Sequence, residues 1–176
     1  MLQLLLFAAY LATVPLANWM IGHIGACSLA GPCVIPVGFG LYAPSGVLMV
    51  GASLMLRDAV QRVLGWHWGL VAIGLGAAVS AFVAPPAILL ASVTAFVISE
   101  TADFLVYTPL ARKSLPLAFL ASGLVGACVD STLFLLIAFG SLQFVAGQIV
   151  GKVWISLIAA GALQVVRMRP DPQHQR

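Results

Sequence analysis

The sequence is a succession of apolar runs, each long enough to cross a bilayer, separated by short turns. Leu2–Ile21 is the first of them. A helical span needs about 20 apolar residues, so this run qualifies by itself. It lacks the basic n-region of a signal peptide and exceeds the usual signal h-region, so it reads as a span. Only 7% of the 176 residues are charged, and the mean hydropathy is +1.10. A soluble domain carries roughly 25% charged residues, and this chain has too few to cover a water-facing surface. The expectation is an all-α integral membrane protein with six transmembrane helices in one domain, residues 1–166. A polar cytoplasmic tail, residues 167–176, would follow.

The spans are read as follows. Span two starts at Pro44-Ser45-Gly46 and runs to about Leu64. Span three covers Trp68 to Ala84 and is broken by Pro85-Pro86. Span four follows at once and runs to Tyr107, before Pro109. Span five runs from Ser114 to Phe139, and span six from Leu142 to Val166. Residues 22–43 are the one long connection. Gly22, Gly25, Gly31, Pro32, Pro36, Gly38 and Gly40 forbid a regular helix there. The segment is nevertheless apolar, so it is expected to pack over the bundle or dip into it.

Loop charges set the orientation. Arg57, Arg62, Arg112, Lys113, Arg167, Arg169 and Arg176 all fall on one side of a six-span topology, and the opposite loops carry no Lys or Arg. Basic residues favour the cytoplasm, which places both termini there, in a cell inner membrane. The net charge of +3 belongs to these loops and gives no reason to expect a nucleic-acid partner.

Against this background four of the five acidic residues stand out, together with one lysine. Glu100 and Asp103 lie within span four, Asp58 in span two and Asp130 in span five, while Lys152 lies in span six. With a helix rise of about 1.5 Å per residue, these groups fall in one layer roughly 10 Å thick near the membrane midplane. Glu100, Asp103 and Tyr107 share a helix face, and Asp58 and Arg62 are spaced to pair. An ionisable group at bilayer depth costs several kcal/mol unless it is paired, and marks a functional site by default. The bland alternative is that Lys152 pairs with Asp130 or Glu100 to fix helix register. Four acids against Arg57 and Lys152 leave negative charge over, which calls for a proton, a cation or a ligand with donors. The aromatics Phe39, Tyr42, Phe104, Tyr107 and Phe134 suggest a planar ligand whose paired N–H groups meet a carboxylate.

Other chemistry finds little support. His23, His67 and His174 lie in loops or the tail, so no nucleophile–base pair is set up for an enzyme. No HExxH, no Cys/His metal spacing and no P-loop occurs, so neither a metal nor another cofactor is expected. Cys27 and Cys33 are placed for a disulfide or for two separate thiols. Gly147-x-x-x-Gly151 and Ser122-x-x-x-Gly126 read as close helix packing.

Several short motifs occur together: Asn18, Val37-Gly38-Phe39 through Pro44, Arg57-Asp58-Ala59-Val60-Gln61-Arg62-Val63-Leu64-Gly65, Glu100-x-x-Asp103, Gly126-x-x-x-Asp130-Ser131 and Gly151-Lys152. In their order and spacing the chain resembles the vitamin uptake transporter family, from about residue 10 to 160. Bacterial members are regarded as transporters of queuosine precursors, which are deazaguanine bases. The resemblance implies a six-span fold similar to the substrate-binding components of energy-coupling-factor transporters. It also implies that Asp58, Glu100, Asp103, Asp130 and Lys152 act in substrate binding or coupling. Asn18, Phe39 and Tyr107 complete the expected site. The partners are a deazapurine and the lipid bilayer, with room for a homo-oligomer. The alternative is a membrane component that captures its ligand and docks on a separate ATPase complex, with Ala8-x-x-x-Ala12 as a docking face.

Overall fold

The computed structural model describes residues 2–27 and 31–168. Six helices dominate it: α1 (Leu2–His23), α2 (Val47–Leu64), α3 (Trp66–Val83), α4 (Leu89–Leu110), α5 (Leu115–Phe139) and α6 (Val145–Met168). Arg167 and Met168, expected in the tail, extend α6, while Arg169 and Arg176 lie outside the described residues. By length and composition α1, α3, α4 and α5 are apolar enough to cross a membrane. In α2 the run is interrupted by Arg57, Asp58 and Arg62.

That composition explains where α2 sits. Charged groups cannot face hydrocarbon, so the helix that carries them goes to the centre. Each of the other five helices touches α2. The outward faces carry Leu4, Leu5, Phe82, Leu90, Leu105 and Ile158, the apolar exterior that a lipid solvent requires.

The long connection is more regular than expected. Residues β1 (Val34–Gly38) and β2 (Leu41–Pro44) form an antiparallel hairpin, the one departure from an all-α fold among the described residues. Phe39 and Gly40 make its two-residue turn, at φ +55° and +73°. Positive φ at both central positions matches the right-handed twist of the strands, which favours this turn in hairpins. For a bulky residue such as Phe39 the conformation is strained. Register slips between Pro36 and Gly38, so Val37 is an unpaired bulge residue. Its carbonyl is thereby free to accept a hydrogen bond from Trp154 Nε1 on α6, at 2.9 Å. Cys27 and Cys33 are joined by a disulfide, which resolves the choice between bridge and thiols.

Lipid tails are as apolar as leucine, so helices here associate through close packing rather than a hydrophobic driving force. Small residues supply the fit. A Cβ at Gly147 would collide with the Tyr42 carbonyl oxygen of β2, and one at Gly151 would lie 3.0 Å from Val47 on α2. The pair therefore seats α6 against both the hairpin and the central helix. A Cβ at Gly126 would lie 2.9 Å from Leu54 and 3.2 Å from the Asp103 Cβ. Gly147→Ala is expected to cost about 1–3 kcal/mol by overpacking. Gly161→Ala, where a Cβ meets nothing within 4 Å, is expected to be silent. Thermal denaturation in detergent compares the two.

Candidate functional site

The buried ionisable residues form two clusters. The first surrounds Arg57, which is fully buried rather than one of the loop cations. Its Nε donates to Glu100 Oε2 at 3.2 Å and its Nη1 to Gln61 Oε1 at 2.9 Å. Its Nη2 lies 2.9 Å from Asp58 Oδ1 and 2.8 Å from Asp103 Oδ2. Neither Nη2 contact is aligned as a hydrogen bond, so the attraction there is coulombic. Asp58 thus pairs with its chain neighbour, not with Arg62 one turn on as the spacing suggested. Ser122 of α5 donates to Asp58 Oδ2 at 2.9 Å, so this serine does more than pack. The rings of Phe104 and Tyr107 flank the guanidinium, with centroids 5.7 and 5.9 Å from its central carbon.

The second cluster is built on Lys152 of α6. Its ammonium has three N–H groups. They go to Asp130 Oδ2 at 2.5 Å, Ser131 Oγ at 2.8 Å and Gln148 Oε1 at 3.2 Å. Of the pairings open to Lys152, the structure has the one with Asp130. Gln148 and Lys152 are one turn apart on one helix, and Asp130 and Ser131 are adjacent on α5.

Two cavities approach these clusters. One, of about 80 Å3, lies toward the hairpin end and has walls from all six helices. Asn18, Ser53, Asp130 and Gln148 give it polar groups, and Phe96 and Phe134 give it aromatic faces. Asn18 holds itself by donating to the Val14 carbonyl at 3.0 Å, leaving its amide oxygen free of protein partners. The other cavity, of about 350 Å3, lies at the opposite, basic end and is lined by Gln61, Arg62, Tyr107, Thr108 and Arg112 among others.

The eight expected site residues therefore occupy separate places. Asn18 and Asp130 line the hairpin-end cavity, and Lys152 stands behind Asp130. Asp58, Glu100 and Asp103 surround Arg57 and line neither cavity. Tyr107 lines the basic-end cavity, and its ring packs edge-on against Phe119. Phe39 is 82% exposed on the hairpin turn, stacked against Trp154 at 6.4 Å between centroids.

Sequence reasoning missed Ser53, Gln61 and Gln148, and it weighed Arg57 against the acids, and among the loop cations, without making it the centre of a cluster. The signal for Arg57 was its depth, more than a turn further into the span than Arg62. Ser53 joins the two regions: it lines the hairpin-end cavity and donates to Glu100 Oε1 at 3.4 Å. Among the described residues no group of three or more His, Cys, Asp or Glu is arranged to hold a metal ion.

A family model described as "Putative vitamin uptake transporter" matches residues 33–166. The chain belongs to the vitamin uptake transporter family. The match takes in both clusters, the hairpin and α2 through most of α6. No curated protein and no solved structure matches the chain. Membership, with the apolar helices, makes this a multi-pass membrane protein of a transporter family, with a small molecule as its substrate.

Proposed function

We propose that this protein takes up a queuosine precursor, a deazaguanine-type base, across the cell inner membrane. In this reading all six helices span the bilayer. The basic end, with Arg62, Arg112 and Lys113, faces the cytoplasm together with both termini, and the hairpin end faces outward. The observation that carries the proposal is Asp130 in the wall of a cavity that also presents Phe96 and Phe134. A planar base stacks on an aromatic face while the carboxylate accepts its adjacent N–H donors. Asn18 and Gln148 offer further amide groups for the remaining edge. This assigns to Asp130 the ligand contact expected of Glu100 and Asp103, whose carboxylates are turned to Arg57. Lys152 pairs with Asp130 and releases it when the ligand's donors compete for the same oxygens.

Uptake of labelled deazaguanines into proteoliposomes tests this. The wild type should accumulate label. Asp130→Asn should lower uptake roughly 10-fold or more, the equivalent of losing a charged hydrogen bond worth about 1.5–3 kcal/mol. A wild type that neither binds nor moves any deazaguanine would overturn the substrate assignment.

One observation favours the second reading, a capture component that docks on an ATPase complex. Ala8 and Ala12 are both exposed on one face of α1, open to a partner helix. Binding without transport by the isolated protein, and co-purification with an ATPase complex, would select that reading.

A further inference from the structure

We propose that the Arg57 cluster is a proton-binding site that couples proton movement to transport, with Asp103 as the carrier. The inference rests on the transport reading above, and uses residues that the ligand site does not.

The charge count comes first. Fully ionised, one guanidinium and three carboxylates give the cluster a formal charge of −2, and all four side chains are at most 1% exposed. Uncompensated charge at this depth costs several kcal/mol per ion, so the site must hold a counter-charge. The Arg57 guanidinium already occupies the centre, within 3.2 Å of all three acids. A metal ion would have to displace it, whereas a proton needs no space. Asp103 Oδ1, wholly buried, has no aligned hydrogen-bond partner among the described residues. It is the open position on which an added proton sits without breaking a contact.

The cluster also lies between the two cavities. Toward the hairpin end, Ser53 touches both the cavity and Glu100. Toward the basic end, Gln61 and Tyr107 touch both that cavity and the Arg57 cluster. The Tyr107 hydroxyl is buried and has no partner. Inward transfer then balances simply. A hydronium ion in the hairpin-end cavity, reached through Ser53, gives its proton to Asp103 and is left as water. Asp103 then releases that proton to water at the basic end. Other ionisable groups facing the site are Tyr10 on α1, Arg62 on α2 and Asp130 on α5, the last neutralised by Lys152. From α3 the only titratable side chain is His67, in the first turn.

Two measurements test the proposal. Infrared spectroscopy of the purified protein should show a protonated-carboxyl band that titrates with pH and disappears in Asp103→Asn. In sodium-free proteoliposomes carrying a pH-sensitive dye, adding a deazaguanine should acidify the lumen, and an inward proton gradient should raise accumulation. Asp103→Asn should abolish both responses while the ligand still raises the melting temperature. Removing one of three acids brings the cluster nearer neutrality, so this variant should fold. Glu100→Gln provides a second test, slowing proton entry. Absence of the band, or its persistence in Asp103→Asn, overturns the proposal. So does uptake that requires sodium or ignores the proton gradient. A band that behaves as expected in a protein that moves no deazaguanine supports the proton site and removes the substrate assignment.

Discussion

Arg57→Met should be the most damaging single substitution in this protein. The replacement keeps an unbranched apolar stem but leaves three buried carboxylates without their shared cation. Breaking a buried ion pair by removing one partner costs about 3–5 kcal/mol, and here one partner serves three acids. The variant should lose most of its folded yield in detergent and melt far below the wild type. Its cause can be separated from lost packing. If uncompensated charge is responsible, adding Asp58→Asn and Asp103→Asn to Arg57→Met should recover much of the loss. A single variant as stable as the wild type would mean that the acids are held by something other than Arg57. The coulombic account would then be wrong.

Lys152→Met should have the second largest effect, and it should divide into two parts. The stability part comes from Asp130, left at 9% exposure with neither cation nor compensating donor. The binding part comes from the cavity, whose one acidic wall residue loses its orientation. The double variant Asp130→Asn with Lys152→Met should regain stability, since neither charge remains, with a coupling of roughly 0.5–3 kcal/mol between contacting sites. It should not regain ligand binding, because the carboxylate is gone. Melting curves with and without ligand read both quantities from one sample, since a ligand that binds only the folded state raises its stability. Stability and binding returning together in the double variant would show that Asp130 only secures the helices.

The contrast between these clusters also shows what the sequence disclosed. Hydrophobic length and Pro/Gly punctuation located all six helices to within a few residues. Depth arithmetic put the ionisable residues in one layer, because rise per residue is nearly constant. It could not divide that layer, because depth says nothing about azimuth around the bundle axis. Asp58 with Arg62 was the natural pair by helix spacing, yet Arg57 won. It sits deeper, where its long fork reaches carboxylates on both α2 and α4, so a tertiary contact overrode a local one. The hairpin was hidden for a different reason. The run Val34–Leu41 is apolar throughout and lacks the alternating polarity that marks a strand, and its turn uses Phe39 where Asn or Gly is usual. Ser53 gave no sequence signal, since serines within spans commonly bond their own helix backbone, as Ser53 also does at Val50.

The bulge at Val37 has a mechanical consequence. Its displaced carbonyl is bonded to Trp154, and Tyr42 of the second strand sits directly on Gly147. Between these two anchor points on α6 lie Gln148 and Lys152. The hairpin and the charged segment of α6 are therefore in contact at both ends of that segment. Any displacement of the hairpin would have to break these contacts or carry with it the segment that bears Lys152.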